Sequence, residues 1–292
     1  MNSSRPLIAL LQGMRPKQWI KNSLVIAAPL ASGAIFEPRN LPAVAIAFVA
    51  FCAASSSIYL LNDLLDRELD RAHSTKRNRP IASGRLPVGL AIAGSILLAA
   101  IAVVVPSTQG LIDLTIVLAV YIAIQVLYCV WLKNVAVLDL IVVSSGFLIR
   151  AIAGGVALGL VLSQWFLLVA AYGSLFMVAG KRYSEKVSEE SGRSARPIMA
   201  AYTPTFLRAV WTIAAVMVLI SYSLWAFELG ETSQAQLAMA SIVPFAIALF
   251  RYAFDIDGGR AGSPEETVIG DRILLLMGAL WVGLFVASVI LR

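Results

Sequence analysis

Residues 41–84 have the sequence LPAVAIAFVAFCAASSSIYLLNDLLDRELDRAHSTKRNRPIASG, in which a long apolar run ends in a cluster of carboxylates followed by a basic loop. The apolar part, residues 41–61, has the length of about 20 residues that a helix needs to cross a bilayer. The polar part carries four carboxylates within its first nine residues. We therefore expect the fold to be organised around a transmembrane helix that delivers these charges to a membrane surface.

The spacing of the acidic residues predicts a metal-binding face. If the apolar helix continues through them, a rotation of about 100° per residue places Asn62, Asp63, Asp66 and Asp70 within one arc of about 100°, with Glu68 outside it. Carboxylates crowded in this way repel one another unless a cation lies among them, and oxygen ligands suit Mg²⁺ or Mn²⁺. We therefore predict a divalent-cation site at Asn62, Asp63, Asp66 and Asp70.

Three cations follow the acidic face within a few residues, at Lys76, Arg77 and Arg79. A Mg²⁺ face beside fixed positive charges is the arrangement that a polyphosphate needs, because the metal bridges some phosphate oxygens and the cations balance the others. The alternative is a solvated loop at the membrane surface whose charges share no ligand.

The composition of the chain excludes an ordinary soluble domain. Of its 292 residues, 59% are hydrophobic and 14% are charged, and the mean hydropathy is +0.83, whereas soluble domains carry about 25% charged residues. The expected fold is an all-α polytopic membrane protein, with nine transmembrane helices around a central cavity that opens to the cytosol. The apolar runs that predict these helices lie at 22–36, 41–62, 87–105, 110–131, 135–159, 163–182, 205–228, 234–254 and 271–291.

The basic residues predict the orientation. With the N-terminus in the cytosol, 20 of the 23 Lys and Arg residues lie on the cytosolic side, as the positive-inside rule requires. We expect residues 1–292 to form one domain in the plasma (inner) membrane, with an interfacial N-terminal segment at 1–21 and cytosolic active-site loops at 62–86 and 181–204. The lipid bilayer is the expected partner, no nucleic acid is expected, and a homo-oligomer is compatible with the sequence.

The second cytosolic loop is basic where the first is acidic. At about 100° per residue, Lys181, Arg182 and Lys186 share one helix face with Glu185. Such a face suits a ligand with several phosphates, and the alternative is the ordinary basic collar of a transmembrane helix.

Arg150 lies in the middle of a predicted span, where an isolated cation is costly. We expect it to face the cavity and bind a ligand phosphate or a carboxylate. A purely structural partner such as Asp139 is the alternative.

The pattern Asn62-Asp63-x-x-Asp66-x-x-x-Asp70 at the end of the second predicted span resembles the UbiA superfamily of intramembrane prenyltransferases. The nine predicted spans and the two cytosolic loops agree with that resemblance. Members of the superfamily typically carry a second acidic motif after the sixth span, and both motifs hold Mg²⁺ on a prenyl diphosphate. Here Lys181-Arg182-Tyr183-Ser184-Glu185 stands in its place, which argues against ionisation of a prenyl diphosphate.

Within the superfamily the chain is similar, nearly end to end, to the phosphoribosyltransferases that act on decaprenyl phosphate. The resemblance implies Mg²⁺-dependent transfer of a 5-phosphoribosyl group from phosphoribosyl pyrophosphate (PRPP) to a polyprenyl (decaprenyl) phosphate, with release of pyrophosphate. The product would be a precursor of the arabinose donor for cell-wall arabinan. The resembling stretches are 14–22, 75–82, 148–155, 174–183 and 255–259.

The resemblance and the charge pattern together give the candidate site. Asp63, Asp66 and Asp70 are expected to be catalytic and, with Asn62, to bind the metal. The expected work of the site is to position the reactants and to stabilise the departing pyrophosphate. The expected substrate-binding residues are Asn62, Lys17, Lys76, Arg77, Arg79, Arg150, Lys181, Arg182 and Tyr183.

Two other functions are compatible with parts of the pattern. One is a conventional aromatic prenyltransferase that uses a polyprenyl diphosphate and an acceptor like 4-hydroxybenzoate. The other is a membrane transporter, whose intramembrane charges would line a path; against it, the charges concentrate in the loops and leave Arg150 almost alone at depth.

Overall fold

The computed structural model describes residues 4–189, 197–230 and 232–291, and within these ranges the regular structure is entirely helical. The predicted all-α fold is therefore confirmed. In chain order the α-helices are α1 (Ser4–Met14), α2 (Ala27–Ala31), α3 (Leu41–Leu65), α4 (Arg67–Ala72), α5 (Val88–Thr108), α6 (Ile112–Val130), α7 (Leu138–Ala157), α8 (Gln164–Glu189), α9 (Pro204–Glu228), α10 (Ser233–Asp257), α11 (Pro264–Gly270) and α12 (Arg272–Ile290).

Seven helices in the described part of the chain are long and apolar enough to cross a membrane: α3 with the turn before it, α5, α6, α7, α9, α10 and α12. The protein is an integral membrane protein, as predicted. The predicted number of nine spans is not confirmed. The predicted span at 163–182 corresponds to α8, which continues into the polar sequence that ends at Glu189.

The predicted first span, 22–36, is not a single helix. Instead α1 ends at Met14, a 3₁₀ helix covers Pro16–Ile26, α2 covers Ala27–Ala31, and a second 3₁₀ turn follows at Ala34–Phe36. Pro16 and Pro29 lack the backbone N–H that a continuous α-helix needs. The interfacial segment predicted at 1–21 is divided by the same break.

The first of two compact units contains Met1–Pro29, Glu37–Lys133 and Ile149–Val161. Its central element is α3, which packs against α5, α6 and the 3₁₀ helix Pro16–Ile26. Small side chains at Ala47, Ala50 and Ala54 are buried along α3, and they let neighbouring helices approach closely. This packing fixes the end of α3, where the acidic motif begins.

The second unit contains Leu30–Phe36, Asn134–Leu148 and Leu162–Arg292. In it α8 packs against α9, and α10 packs against α8, α9 and α12. A Cβ atom added to Gly180 would lie 2.4 Å from the side chain of Ile256. Glycine is therefore needed where α8 passes α10, and the contact brings the end of α8, with Lys181 and Arg182, close to the end of α10.

Gly154→Ala is expected to destabilise the first unit. A Cβ atom at Gly154 would lie 1.8 Å from the backbone oxygen of Val25, so the 3₁₀ helix would have to move away from α7. We expect the free energy of unfolding to fall by about 1–3 kcal/mol, as for other overpacked sites, measured by denaturation in mixed micelles. The matched control is Gly278→Ala in α12, where a Cβ atom meets no atom within 4 Å. Equal stability of the two variants would contradict the close contact at Gly154.

Candidate functional site

The acidic motif is divided between two helices. α3 ends at Leu65 and α4 begins at Arg67, with Asp66 at the junction (φ −88°, ψ 5°). The continuous helix from which the acidic arc was predicted is therefore not formed. The carboxylates converge through their contacts with cations instead of through helix periodicity.

Arg79 joins the first and last aspartates of the motif. Its Nη1 atom donates to Asp63 Oδ1 at 3.0 Å and to Asp70 Oδ2 at 2.7 Å. Both carboxylates are nearly inaccessible to solvent, with exposed fractions of 2% for Asp63 and 4% for Asp70. Buried carboxylates require such partners because an unpaired charge is expensive away from water. A single positively charged atom thus marks the point on which the two aspartates converge.

Arg15 makes a second ion pair with the same oxygen of Asp63. Its guanidinium also lies over the ring of Tyr59, 5.0 Å from the ring centroid. Sequence reasoning did not include Arg15 in the site, because it is 48 residues from Asp63 and belongs to no helix face. The position of Arg15 inside the resembling stretch 14–22 was the signal available in the sequence.

The middle aspartate of the motif, Asp66, has a different partner. Asp66 Oδ1 accepts a hydrogen bond of 2.5 Å from Lys133 Nζ, and both side chains are 22% exposed. Lys133 was also missed by sequence reasoning, where it counted only toward the orientation. Asn62 is half-buried one residue before Asp63.

Glu68 stays apart from this group, as the spacing predicted. It is exposed and forms ion pairs with Arg67 and Arg71 on the surface of α4. The hydrogen bonds from Arg67, which have the largest effect, and from Arg71 hold the pKa of Glu68 below its usual range. Glu68 is therefore a suitable control residue for the acidic motif.

The remaining predicted cations near the motif lie at or near the surface. Lys76 begins a 3₁₀ turn, Lys76–Asn78, and is half-buried, whereas Lys17 and Arg77 are exposed. Arg79, by contrast, donates hydrogen bonds to two aspartates of the motif. The roles of Lys17, Lys76 and Arg77 remain predictions.

Arg150 is buried in the first unit, where it contacts polar and aromatic side chains. It donates to Asn22 Oδ1 at 2.8 Å and to the Tyr121 hydroxyl at 2.7 Å. Its guanidinium also lies over the rings of Phe51 and Tyr121. The contacts explain how a cation is accommodated in a membrane span. Its predicted role in ligand binding remains a prediction.

Arg182, in the second unit, is held by carboxylates. It forms two hydrogen bonds with Asp139, of 2.9 and 3.0 Å, and a third with Glu185 of 2.8 Å. Arg182 and Asp139 are both buried. Arg182 therefore does not share an open basic face with its neighbours. Asp139, weighed as a partner for Arg150, binds Arg182 in this structure.

The other cations of the predicted basic face are separated. Lys181 is half-exposed, with its Nζ atom 4.0 Å from Glu185 Oε1. Lys186 instead donates to the backbone oxygen of Met199 at 2.8 Å. Residues 190–196 of the predicted 181–204 loop lie outside the described residues.

Tyr183 connects α8 with two further charged residues. Its ring is buried, and its hydroxyl lies 2.5 Å from Arg208 Nη2 and 3.4 Å from Asp257 Oδ1. Arg208 and Asp257 form an exposed ion pair of 2.9 Å. Arg208 was absent from the predicted site, and helix phase could not identify it because it lies on a different helix from Tyr183.

The acidic motif fits a hard divalent cation in its donor chemistry. Among the described residues, no group of three or more His, Cys, Asp or Glu side chains is arranged to hold a metal, and the aspartates bind Arg15, Arg79 and Lys133. The carboxylate oxygens are nevertheless the ligands that Mg²⁺ prefers. Asp63 and Asp70 already converge on one positive charge, so they are among the residues that would hold such a cation.

The chain matches known proteins along nearly its whole length. It is 50% identical to a decaprenyl-phosphate phosphoribosyltransferase of Corynebacterium glutamicum, over 96% of this chain and 86% of that protein. It is also 50% identical to a protein of the same name from Mycolicibacterium smegmatis, over 96% of this chain and 92% of that one.

The fold has counterparts among solved structures. One is a UbiA homolog from Archaeoglobus fulgidus bound to DMAPP and Mg²⁺, with a TM-score of 0.67 and 18% identity, covering 97% of this chain and 98% of that one. At 18% identity, this similarity shows that the two proteins share a fold. The family model described as the UbiA prenyltransferase family matches residues 23–269. The chain belongs to the UbiA prenyltransferase family.

Proposed function

We propose that this protein transfers the 5-phosphoribosyl group of PRPP to a polyprenyl phosphate such as decaprenyl phosphate, with release of pyrophosphate. The observation that carries this proposal is the 50% identity, over 96% of the chain, to proteins named decaprenyl-phosphate phosphoribosyltransferase. The proposed product, polyprenylphosphoryl-5-phosphoribose, would serve as a precursor of the arabinose donor for cell-wall arabinan.

The charges of the first unit support a diphosphate-binding role. We propose that Asp63, Asp66, Asp70 and Asn62 hold Mg²⁺, and that Arg79 binds phosphate oxygens together with Lys76, Arg77 and Lys17. When bound, the metal would balance charge on the pyrophosphate group as it departs. Arg79 already forms ion pairs with two carboxylates, so phosphate oxygens that bind its guanidinium would lie beside the aspartates.

The charges of the second unit support a role with a further phosphate. We propose that Lys181 and Tyr183 bind the ribose 5-phosphate or the lipid phosphate. We propose that Arg182 is a positioning residue. Its hydrogen bonds to Asp139 and Glu185 fix the end of α8 that carries Lys181 and Tyr183. Arg150 remains a candidate phosphate ligand, and its contacts with Asn22 and Tyr121 favour a structural role.

The proposed reaction needs no strong general base. An oxygen of the lipid phosphate, already an anion, bonds to C1 of the ribose while the bond from C1 to the pyrophosphate oxygen breaks. The electron pair of that bond leaves with pyrophosphate. Preorganised cations around the departing oxygens stabilise this charge, and positioning of the two reactants supplies much of the remaining rate enhancement.

The cytosolic location of the site also belongs to this proposal. PRPP is water-soluble and highly charged, so it would reach the protein from the cytosol. We propose that the N-terminus and the acidic motif face the cytosol across the plasma membrane, in agreement with the distribution of basic residues. Labelling of single cysteines introduced at Lys17 and Arg39, in intact cells and in lysed cells, tests this orientation.

Donor specificity tests the proposed function against the aromatic prenyltransferase alternative. Purified protein in Mg²⁺ buffer would receive either PRPP with polyprenyl phosphate, or polyprenyl diphosphate with 4-hydroxybenzoate. We expect a lipid product in the first reaction and no product in the second. The opposite pattern would refute the phosphoribosyl proposal.

Lys181→Ala is expected to weaken the use of PRPP. Loss of a hydrogen bond to a charged group costs roughly 1.5–3 kcal/mol, which corresponds to about a 10- to 150-fold fall in kcat/KM for PRPP. The measurement is a PRPP titration at a fixed concentration of polyprenyl phosphate. Lys186→Ala, which removes the same charge from the next turn of α8, is the matched control and should leave kcat/KM within a few fold of wild type. If Lys181→Ala behaves like the control, the function stands but Lys181 does not bind the donor.

A further inference from the structure

Arg15 has a backbone conformation that is unusual for a residue with a side chain. Its φ and ψ angles are 54° and 60°, in the left-handed region that mainly glycine adopts. Non-glycine residues keep such a conformation only where their surroundings impose it, and these positions cluster at functional sites. The contacts of Arg15 and of its neighbours therefore bear on function.

One residue of α3 holds the chain on both sides of Arg15. The Ser56 hydroxyl donates to the backbone oxygen of Met14 at 3.1 Å and accepts from Trp19 Nε1 at 3.0 Å. Further along, the side-chain amide of Asn22 donates to Ser55 at 3.2 Å. The segment is therefore fastened to α3 before and after Arg15, which maintains the left-handed turn.

The turn directs the Arg15 side chain along one face of α3. Ser56, Tyr59 and Asp63 are spaced by three and four residues, so they lie on the same helix face. Arg15 covers the ring of Tyr59 and reaches Asp63 at the end of that face. The strained backbone of the turn thus places the guanidinium of Arg15 at Asp63.

The charges around Asp63 indicate why a second guanidinium is present. Asp63 Oδ1 accepts from both Arg15 and Arg79, while Arg79 also binds Asp70. Arg79 alone therefore joins the two buried carboxylates. Arg15 has Asp63 as its carboxylate partner and keeps 28% of its side chain exposed, so it can turn toward a ligand with the loss of one ion pair.

We propose that Arg15 is a catalytic residue that binds the diphosphate group of the donor and stabilises it as it leaves. This inference rests on the proposed function for the identity of the donor. When the bond between C1 of the ribose and the pyrophosphate oxygen breaks, both electrons remain on that oxygen. The guanidinium of Arg15 donates hydrogen bonds to the negative charge that develops there, and no proton is transferred.

Direct binding of pyrophosphate separates this role from a structural one. Calorimetry on the full detergent-solubilised chain, with pyrophosphate titrated at saturating Mg²⁺, gives a Kd for wild type, Arg15→Gly and Arg15→Lys. Arg15→Gly removes the guanidinium but suits the left-handed backbone, so relief of strain offsets part of the stability that is lost with the ion pair. Asp63 keeps Arg79 as its partner, and the variant should remain folded. We expect its Kd for pyrophosphate to rise about 10- to 150-fold. Arg15→Lys keeps the positive charge but lacks the planar fork of N–H donors of arginine. Its Kd for pyrophosphate should therefore lie between those of wild type and Arg15→Gly.

Val137→Gly is the matched control for the backbone effect. Val137 is the other described non-glycine residue with a positive φ, at 68°, and it belongs to the second unit. Its replacement relieves the same kind of strain without removing a charge. We expect a higher unfolding temperature and an unchanged Kd for pyrophosphate.

An unchanged Kd for pyrophosphate in Arg15→Gly at saturating Mg²⁺ would overturn the proposal. If the Mg²⁺ concentration for half-maximal binding also rose, Arg15 would only position Asp63. Failure of the proposed function looks different: wild type would bind Mg²⁺-pyrophosphate in an Arg15-dependent manner but would transfer no phosphoribosyl group from PRPP.

Discussion

Asp66→Asn is expected to lower phosphoribosyl transfer by at least about 100-fold, because metal stabilisation of charge in a transition state is worth several kcal/mol. The substitution removes one negative charge from the proposed metal face and leaves the shape of the side chain unchanged. Asp66 is partly exposed, and the buried group of Asp63, Arg79 and Asp70 remains intact. Folding should therefore be preserved. The measurement is turnover of PRPP by purified protein, with the unfolding temperature recorded in parallel.

Glu68→Gln is the matched control for this experiment. It neutralises a carboxylate two residues away that binds Arg67 and Arg71 at the surface instead of joining the acidic group. We expect nearly normal turnover in this variant. Turnover by wild type should stop in excess EDTA and return with Mg²⁺. Normal activity of Asp66→Asn, or activity of wild type in EDTA, would contradict the assignment of the metal site.

Asp139→Asn is expected to destabilise the second unit by about 3 kcal/mol or more, since removal of one partner leaves a buried charge without full compensation. Arg182 donates two hydrogen bonds to Asp139, and its hydrogen bond to Glu185 would remain in the variant. The measurement is the free energy of unfolding in mixed micelles of increasing SDS content.

Glu37→Gln serves as the control for loss of an ion pair. Glu37 and Arg39 form a pair in which both side chains are exposed, and such pairs contribute about 0–1 kcal/mol. A loss of stability in Asp139→Asn no larger than in this control would show that the buried pair does not hold α8. A large loss in both variants would point to a general effect of charge.

The long apolar helices could be predicted from the sequence with bounds close to those observed. Apolar runs of about 20 residues have few alternatives in a membrane protein, and α3, α5, α6 and α7 begin and end near the predicted positions. The segment at 16–36 could not be predicted in this way. Its form depends on Pro16, on Pro29 and on contacts with α3 that no local pattern contains.

The candidate site was predictable in its residue types but not in its pairing. Asp63, Asp66 and Asp70 were identified by spacing, yet Asp66 binds a lysine 67 residues away and Asp63 binds an arginine 48 residues away. Helix phase describes one element at a time, whereas these partners come from other elements that pack beside it. The same reason explains Arg182, which was predicted on an open face and is instead buried against Asp139.

A double-label transfer experiment tests the proposed function most directly. Purified protein with Mg²⁺ would receive PRPP labelled with ³²P in its 5-phosphate and polyprenyl phosphate labelled with ¹⁴C in its chain. We predict a single lipid-extractable product that carries both labels, with one pyrophosphate released for each product molecule. A lipid fraction without ³²P, from protein that instead joins a polyprenyl diphosphate to an aromatic acid, would contradict the proposal.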